Sequence, residues 1–443
     1  MARAKIVCEP PGPEAKKIIE KYNKSVSPVV YHIQPNLVVK SAEGSLITDV
    51  DGNMYIDFLS GVGVTGIGHR HPKVEAAIKE QLNKYTHVNP HVPRVPIYME
   101  YGEKIQSIAP EGLKDGKIFL GNSGTEGVEA ALKLARYYTK KPIIIGYDPS
   151  FHGRTLGALS ITTGAKGRKY LESILGGVKH VKYPYCYRCP KSLEYPGCGI
   201  ACMEELTNVS KLLTSTENIA GVIMEPIAGE PGVLVPPKEY LKELRKFCDE
   251  NNLLLIADEV QTGLGKTGKM WAVEHSGVTP DIMVYGKAAG GGLPLGGIIA
   301  KKEIADKWEP GHHASTFGGN PLSCAAGIAT IDVILKENLV ERSAKTGEYI
   351  LKRLKEFDYD LIGDIRGKGT LIGIELVKDK KTKQPASEEA AKIKERAFNY
   401  GLIASVAGKQ SNVIRLSPAL NIEQELVDEG LNILEKAFRE VCR

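Results

Sequence analysis

Five short apolar runs in the middle of the chain constrain the fold more than any other feature. The runs are "PIIIGYD" (142–148), "IAGVIMEP" (219–226), "NLLLIADEV" (252–260), "DIMVYGK" (281–287) and "LGGIIA" (295–300). They are apolar at both odd and even positions, which is typical of parallel strands covered by helices on both faces. The alternation of such runs with amphipathic stretches predicts an α/β fold with a mostly parallel sheet flanked by helices. Ligands bind at the carboxyl ends of strands in such sheets.

The two ends of the chain have a different pattern. Residues 1–60 contain short strand-like pieces separated by turn residues, and residues 330–443 combine long helical stretches with short strands. We therefore expect a large central domain over residues 61–329. A smaller α+β domain would be built from both termini, and the sequence has no repeats or long linkers that would separate further domains.

The charge distribution excludes several classes of function. The formal net charge is +5 over 443 residues, and basic and acidic residues are interleaved. A nucleic-acid-binding surface normally clusters its basic residues, so we expect no nucleic acid as a partner. The N-terminal segment lacks the apolar stretch of a signal peptide, and no apolar run has the length of a membrane span. These features predict a cytoplasmic protein that does not bind membranes.

The stretch "FLGNSGTEGVEAALKLARYY" (119–138) predicts a strand, a tight turn and a helix. Ser123 and Glu126 have the spacing of a capping box at the start of that helix. The backbone N–H groups of Gly124 and Thr125 would be free, and a helix N-terminus of this kind favours phosphate. An ordinary capped helix has the same pattern, so this motif alone does not define a ligand.

Two other predicted strands end in residues that can carry chemistry. One ends in Asp258 and Glu259, and a buried carboxylate there needs a positive partner. The other ends in Lys287, followed by "AAGGGLPLGG", which leaves room for a flat group beside the amine. A partly desolvated lysine has a lowered pKa and is a usable nucleophile, although a single lysine at a strand end is more often a surface residue. The amine, the acid and the phosphate cradle together favour pyridoxal phosphate.

The sequence resembles the class III aminotransferases over essentially the whole chain. This family of fold type I pyridoxal-phosphate-dependent transferases includes 4-aminobutyrate, ornithine and acetylornithine aminotransferases, and also amino-acid racemases. The matching blocks, in order, are "GIGHRHPKV", "GNSGTEGVEAALKLAR", "FHGRT", "EPIAGEPG", "ADEVQTGLGKTG", "GKAAGGGLPLGG", "STFGGNPLSCAA", "RGKGTLIGIEL" and "NVIRLSPAL".

The resemblance implies a role for each residue around the cofactor. Lys287 would form the Schiff base with pyridoxal phosphate and then move the proton between the substrate Cα and C4′ of the cofactor. Asp258 would hold the pyridinium N–H, and Gln261 would lie beside the ring hydroxyl. Phe151 would stack on the ring.

The resemblance also implies how the phosphate is held. Gly124 and Thr125 match the phosphate cradle, and Thr316 matches a phosphate contact that comes from the other subunit. We therefore expect a homodimer with shared active sites, either alone or as the unit of a higher oligomer.

The substrate residues are likewise implied by the resemblance. Arg415 would receive the α-carboxylate of an amino acid or 2-oxo acid, and Glu230 would pair with Arg415 when the substrate lacks that group. Arg154 matches a position used for a distal carboxylate, and Val62 is a candidate for lining the pocket. Each charged residue could instead form an ordinary surface or core ion pair.

The chain departs from many family members at two positions. Ala228 stands where many have Gln, and Lys266 stands where many have Arg. Because both positions lie near the ring in the family, an amino-acid racemase or epimerase is the alternative to an aminotransferase. The Glu230 and Arg415 pair, which suits two different substrates in turn, favours transamination.

Four of the eight cysteines are clustered in "CYRCPKSLEYPGCGIAC" (186–202). The spacing of Cys186, Cys189, Cys198 and Cys202 is compatible with a structural zinc ion or an iron–sulfur cluster. Free thiols and a disulfide pair are the alternatives, and disulfides are rare in cytosolic proteins. Some members of the family carry a comparable cysteine-bearing loop.

Overall fold

The computed structural model describes residues 3–164, 166–171, 176–209 and 215–442. The strands are β1 (Val39–Glu43), β2 (Leu46–Asp49), β3 (Met54–Asp57), β4 (Lys117–Gly121), β5 (Ile143–Asp148), β6 (Val178–Lys182), β7 (Ile219–Met224), β8 (Leu254–Asp258), β9 (Ile282–Tyr285), β10 (Gly296–Ala300), β11 (Ile362–Lys368), β12 (Leu371–Asp379), β13 (Gln384–Pro385), β14 (Leu402–Ile403), β15 (Ser405–Ala407) and β16 (Val413–Leu416).

The helices alternate with these strands along the chain. They are α1 (Pro13–Ser25), α2 (Ser60–Gly63), α3 (Pro72–Leu82), α4 (Pro96–Ile108), α5 (Gly124–Thr139), α6 (Leu156–Ile161), α7 (Glu204–Asn208), α8 (Tyr240–Glu250), α9 (Lys302–Ala305), α10 (Pro321–Lys336), α11 (Leu339–Lys355), α12 (Ser387–Asn399) and α13 (Gln424–Val441). Short 3-10 turns join several of them, including one over Lys287–Gly290.

A seven-stranded sheet with the order β4-β10-β9-β8-β7-β5-β6 lies at the centre of the molecule. Every residue of β7, β8, β9 and β10 is buried, because helices cover both faces of the sheet. On one face, Ile256 and Val284 pack against α5 and α6. On the other face, Leu255 and Met283 pack against a larger apolar cluster that includes α4, α8 and α10. The predicted α/β fold is confirmed.

One predicted strand direction is wrong. The runs at β5, β7, β8 and β9 are parallel to one another, but β10 runs antiparallel to both β9 and β4. The connection from β9 to β10 contains only a 3-10 turn, which is too short for the crossover that parallel strands need. The chain reverses at Gly291 and Gly292, whose φ angles are +57° and +101° and which therefore favour glycine.

Two smaller sheets bring the two ends of the chain together. One has the order β1-β2-β3-β14, and the other has the order β11-β12-β16-β15 with β13 beside β12. Strand β14 pairs with β3 in parallel, with Ile403 opposite Asp57. Ile56 and Phe58 belong to an apolar cluster formed mainly by residues 350–438. The domain boundaries themselves stay a proposal.

Within the described ranges, no helix combines the length and the apolar character that a membrane span requires.

Candidate active site

Asp258 and Lys287 follow neighbouring parallel strands at the carboxyl edge of the central sheet. Asp258 is the last residue of β8 and pairs in register with Val284 of β9. Lys287 has a φ of +49° and begins the 3-10 turn after β9. Its Nζ donates a hydrogen bond to Oε1 of Gln261. Burial, together with the nearby charge of Arg415, lowers the pKa of Lys287 to about 8, so a neutral amine is accessible near neutral pH.

Asp258 has a histidine partner that the sequence interpretation did not identify. Its Oδ2 lies 2.7 Å from Nδ1 of His152, and its Oδ1 accepts a hydrogen bond of 3.0 Å from the N–H of Val260. Burial disfavours the imidazolium, but the charge and hydrogen bond of Asp258 outweigh it and raise the pKa of His152. The sequence signal was the position of His152 inside the "FHGRT" block.

Glu225 is a second buried carboxylate that was not predicted as a site residue. Its Oε1 accepts a hydrogen bond of 2.9 Å from the N–H of Phe151, and its Oε2 accepts one of 3.1 Å from the N–H of Gly229. Burial and, to a smaller extent, the neighbouring Asp258 raise the pKa of Glu225 to about 7, against the effect of His152. Glu225 therefore ties two site loops together.

The predicted phosphate cradle lies at the N-terminus of α5. Ser123 caps this helix, since its Oγ accepts a hydrogen bond of 3.4 Å from the N–H of Glu126. The N–H groups of Gly124 and Thr125 are in the first turn, where no carbonyl of the helix can reach them. A β-carbon on Gly124 would lie 2.6 Å from Cγ1 of Val260, so the residue must be glycine.

The aromatic residue and the distal arginine of "FHGRT" contact each other. Phe151 is half-buried, Arg154 is exposed, and the guanidinium carbon of Arg154 lies 5.1 Å from the centre of the Phe151 ring. The structure gives Arg154 this cation–π contact and leaves its polar atoms towards solvent.

Thr316 lies on an exposed loop close to the same helix N-terminus. Nδ2 of Asn122, just before α5, donates a hydrogen bond of 3.2 Å to Oγ of Ser315. Thr316 is exposed, and the neighbouring Phe317 keeps 60% of its surface exposed. The loop therefore presents Thr316 and a large apolar side chain to the outside of this subunit.

Arg415 and Glu230 form an ion pair with unequal burial. Nη1 of Arg415 lies 2.6 Å from Oε2 of Glu230, and its Nε donates a hydrogen bond of 3.1 Å to Oγ of Ser405. The side chain of Arg415 is 2% exposed, whereas that of Glu230 is 51% exposed. Arg415 thus has a fixed position near Lys287, and its acidic partner faces the solvent side.

The loop with Val62 packs against the amide of Gln261. Gly61 and Val62 have left-handed dihedral angles inside the short turn α2. A β-carbon on Gly63 would lie 2.7 Å from Nε2 of Gln261, so this turn and the amide that contacts Lys287 are in close contact. Val62 packs on the apolar cluster that contains Tyr55.

Lys266 is buried beside this turn. Its Nζ donates a hydrogen bond of 2.8 Å to the carbonyl of Pro418 and lies 3.5 Å from Oγ of Ser60. Burial lowers the pKa of Lys266 to about 7, Asp57 opposes this shift, and Lys287 adds to it. Ala228 is also buried, in a backbone bridge with Leu234.

The predicted zinc or iron–sulfur site is not supported. All eight cysteines, including Cys186, Cys189, Cys198 and Cys202, are free thiols. Across the described ranges, no group of three or more histidine, cysteine or acidic side chains is arranged to hold a metal ion. Burial raises the pKa of Cys186, and it raises that of Cys202 to about 11. The raised pKa values disfavour free thiolates at these two positions.

The donor set fits pyridoxal phosphate. An amine with a lowered pKa lies at the end of one strand, and a buried carboxylate held by a histidine ends the neighbouring strand. Free N–H groups for a phosphate lie at the start of a sixteen-residue helix. Lys287, Asp258 and Gly124 would be the residues that hold the cofactor at its aldehyde, its ring nitrogen and its phosphate.

Comparisons with known proteins agree with this chemistry. Residues 28–438 match the family described as aminotransferase class-III. A leucine/methionine racemase from Thermococcus litoralis is 40% identical over 431 residues, which cover 96% of each chain. A probable 4-aminobutyrate aminotransferase from Bacillus subtilis is 37% identical over 423 residues, covering 95% of this chain and 97% of the relative. The pyridoxal-phosphate-bound amine transaminase from an uncultivated Pseudomonas species is 31% identical, with a TM-score of 0.87 and coverage of 95% and 97%.

Proposed function

The chain belongs to the class III aminotransferase family, and from that premise we propose that it moves an amino group from an amino acid or ω-amino compound to a 2-oxo acid. The observation that carries this proposal is the pairing of buried Arg415 with the half-exposed Glu230. A transaminase alternates between two different substrates in one site. Because Glu230 can move away from Arg415, the same arginine can serve a substrate with an α-carboxylate and a substrate without one.

Pyridoxal phosphate, when bound, supplies an aldehyde that takes up the amino group and a ring that withdraws electrons from the substrate Cα. Lys287 is the residue to which the cofactor would be attached, as a Schiff base. Its pKa of about 8 supports a second role, because the amine, once released, would accept a proton from the substrate Cα and donate one back.

The other residues of the site hold and orient the cofactor. Asp258 would pair with the N–H of the ring nitrogen, and the contact with His152 holds the Asp258 carboxylate in position. The first turn of α5, with Gly124 and Thr125, receives the phosphate through its N–H groups and its dipole. Phe151 would cover one face of the ring.

The substrate carboxylate would displace Glu230 from Arg415. A guanidinium makes bidentate contacts with a carboxylate, so an α-amino acid or 2-oxo acid can take the place of the Glu230 side chain. A substrate without an α-carboxylate leaves the ion pair intact, and the buried charge of Arg415 stays compensated. Arg154 and Val62 are proposed to contact the rest of the substrate.

A donor and acceptor panel tests the proposal. The purified enzyme is incubated with α-amino acids and ω-amino acids, each with and without 2-oxoglutarate, and glutamate is measured. We expect glutamate to form in proportion to the oxo product of one donor class. Borohydride reduction followed by peptide mapping should place the cofactor on Lys287, and Lys287→Ala should lose both label and activity. Labelling of another lysine would contradict the proposed site.

A racemase is the second candidate function, because a relative with 40% identity over nearly the whole chain carries that name. The same lysine, acid and phosphate cradle serve a racemase, which returns the proton to Cα from either face. Incubation of a single enantiomer in heavy water without any 2-oxo acid separates the two functions. Repeated turnover to the opposite enantiomer, with deuterium at Cα, would replace the transaminase proposal.

We also propose a homodimer in which Thr316 of one subunit completes the phosphate site of the other. The exposure of Thr316 and Phe317 beside the start of α5 supports this arrangement. Co-expression of Lys287→Ala and Thr316→Ala chains tests it, because a mixed dimer would contain one intact site. At limiting cofactor, mixed dimers should be labelled on Lys287 more fully than Thr316→Ala homodimers. Equal labelling would contradict a shared site.

The cytoplasmic location stays a proposal, which cell fractionation tests.

A further inference from the structure

We propose that Arg366 is a positioning residue that holds the Glu230 loop in the conformation that pairs with Arg415. This inference rests on the proposed function, because it assigns a role to the same Glu230–Arg415 ion pair. Arg366 is the first residue of the "RGKGTLIGIEL" block and lies on β11, away from the cofactor residues.

The loop that carries Glu230 has a backbone that needs external support. Gly232 and Val233 follow Glu230 after Pro231 and have φ angles of +118° and +54°. The second value is unfavourable for a β-branched residue. The N–H groups of Gly232 and Val233 both donate to the carbonyl of Gly229, which closes a tight turn. Their own carbonyls are therefore turned away from the turn.

Arg366 binds both of these carbonyls with one guanidinium. Its Nη2 donates a hydrogen bond of 2.7 Å to the carbonyl of Gly232, and its Nε donates one of 3.0 Å to the carbonyl of Val233. A planar guanidinium holds these two donors in a fixed relative geometry, which a lysine ammonium cannot reproduce. Arg366 thus adds two side-chain hydrogen bonds to a flank that the backbone bridge between Ala228 and Leu234 also closes.

The guanidinium is itself held rigidly. Nη1 of Arg366 lies 2.8 Å from a carboxylate oxygen of Asp364 and 2.7 Å from Oε2 of Glu375. Glu375 is 1% exposed and also lies 2.6 Å from Nε of Arg188. The side chain of Arg366 is 10% exposed, and its guanidinium carbon lies 5.0 Å from the centre of the Tyr185 ring. Arg366 can therefore transmit the position of β11 and β12 to the loop.

The residues of the loop around Gly229 and Glu230 have hydrogen bonds of their own, so Arg366 acts only on Gly232 and Val233. The N–H of Gly229 donates to Glu225, and the N–H of Gly408 donates a hydrogen bond of 3.0 Å to the carbonyl of Glu230. The Glu230 side chain is half-exposed and its remaining described polar contact is Arg415. Loss of Arg366 would loosen the turn after Glu230 by removing the hydrogen bonds to its two carbonyls, while the backbone bridge between Ala228 and Leu234 stays in place.

A loosened loop should change the preference between two kinds of ligand. Glu230 competes with the substrate α-carboxylate for Arg415, and it compensates the buried charge when no α-carboxylate is present. A mobile Glu230 is a weaker competitor and a weaker counter-ion. Loss of Arg366 should therefore favour ligands with an α-carboxylate and disfavour amines without one.

Binding of a matched ligand pair tests this inference independently of turnover. The ligands are leucine and 3-methylbutylamine, which is leucine without its carboxylate, and apparent dissociation constants are taken from the cofactor absorbance of the holoenzyme. In Arg366→Met, we expect the amine-to-amino-acid ratio of dissociation constants to rise about tenfold, as expected for the loss of hydrogen bonds to a charged donor. Glu230→Gln should change the ratio in the same direction, and Arg366→Lys should lie between Arg366→Met and the wild type.

Arg245→Met is the matched control. Arg245 also forms ion pairs with carboxylates, 2.7 Å from Asp281 and 2.7 Å from Asp249, but on α8. Arg245→Met should reduce stability and leave the amine-to-amino-acid ratio of dissociation constants unchanged. An unchanged ratio in both Arg366 variants, or an equal weakening of both ligands, would overturn the role of Arg366. An unchanged ratio in Glu230→Gln would overturn the proposed Glu230 switch as well, so the two failures are distinguishable.

Discussion

Asp258 and His152 form a fully buried pair in which Oδ2 of the carboxylate lies 2.7 Å from Nδ1 of the imidazole. Their side chains are 4% and 0% exposed. The Nε2 of His152 is also buried and has no described hydrogen-bond partner. His152 thus contacts the Asp258 carboxylate on the side away from the ligand, while Lys287 lies on the ligand side of the site.

We predict that His152→Phe weakens cofactor retention and lowers stability. Removal of the imidazole leaves a buried carboxylate without its hydrogen-bond partner, which costs about 3 kcal/mol. The carboxylate of Asp258 also loses the contact that orients it, so it would hold a protonated ring nitrogen less well. Chemical denaturation and the loss of cofactor absorbance on dialysis measure the two effects.

His180→Phe serves as the comparison for His152→Phe. His180 is half-buried on β6, and its Nε2 bonds at 3.0 Å to the carbonyl of Ile161 rather than to a carboxylate. It should lower stability by only about 1 kcal/mol and retain the cofactor. Equal cofactor retention in the two variants would contradict the role of His152.

Gly153→Ala should damage the phosphate cradle. Gly153 has a φ of +131°, and a β-carbon there would collide with Oγ1 of Thr125. Because the two residues cannot both keep their positions, we expect the dissociation constant of pyridoxal phosphate to rise by about tenfold or more. Equilibrium titration of the apoenzyme with the cofactor provides the measurement.

Gly164→Ala separates backbone strain from this collision. Gly164 has a φ of +68°, but an added β-carbon would have ordinary contact, 3.8 Å from Lys409. It should lower stability by about 1 kcal/mol without weakening the cofactor. Similar cofactor affinities in the two alanine variants would argue against the predicted cradle.

The sequence pattern predicted those features that depend on neighbouring residues along the chain. Apolar runs predicted the central strands, and Asp258 and Lys287 were predicted at their ends because burial and strand ends are visible in a linear sequence. The direction of β10 was not visible in composition, since an apolar run is the same in both directions. The direction of β10 depends on the length of the connection after Lys287, which is too short for a crossover.

The contacts that the sequence did not predict join distant segments. His152 and Asp258 are 106 positions apart, and Arg366 and Val233 are 133 positions apart. No spacing rule relates such residues before the strands are assembled. The cysteine cluster shows the opposite case: its spacing is local and compatible with a metal ion, but the described side chains give that prediction no support.

Arg415→Lys should weaken the binding of 2-oxo acids selectively. Nη1 of Arg415 contacts Glu230, and its Nε contacts Ser405, which is opposite Arg415 in the pairing of β15 with β16. The guanidinium thus binds two partners through two different nitrogens. A lysine keeps the charge but loses bidentate geometry. We expect KM for 2-oxoglutarate to rise by about tenfold or more, with a smaller change for an amine lacking a carboxylate. Equal changes for both substrates would contradict carboxylate recognition by Arg415.

Lys266 makes a prediction about stability and pH. Its folded-state pKa is about 7, compared with 10.5 for an ordinary lysine, because its ammonium is buried. Between these values the unfolded chain binds a proton that the folded chain does not, so this group makes stability rise with pH. The contribution is complete above about pH 10.5 and is lost as the pH falls through about 7.

Lys266→Met should remove this dependence. The difference in unfolding free energy between wild type and Lys266→Met should change in favour of the wild type by on the order of 1 kcal/mol per pH unit from pH 7 to 10. Lys394→Met is the matched control, since Lys394 is only half-buried, donates a hydrogen bond of 2.9 Å to the carbonyl of Ile33, and has its pKa lowered by burial to a lesser degree. Denaturant unfolding at several pH values measures both variants. Parallel pH profiles for wild type and Lys266→Met would show that Lys266 stays charged in the folded protein.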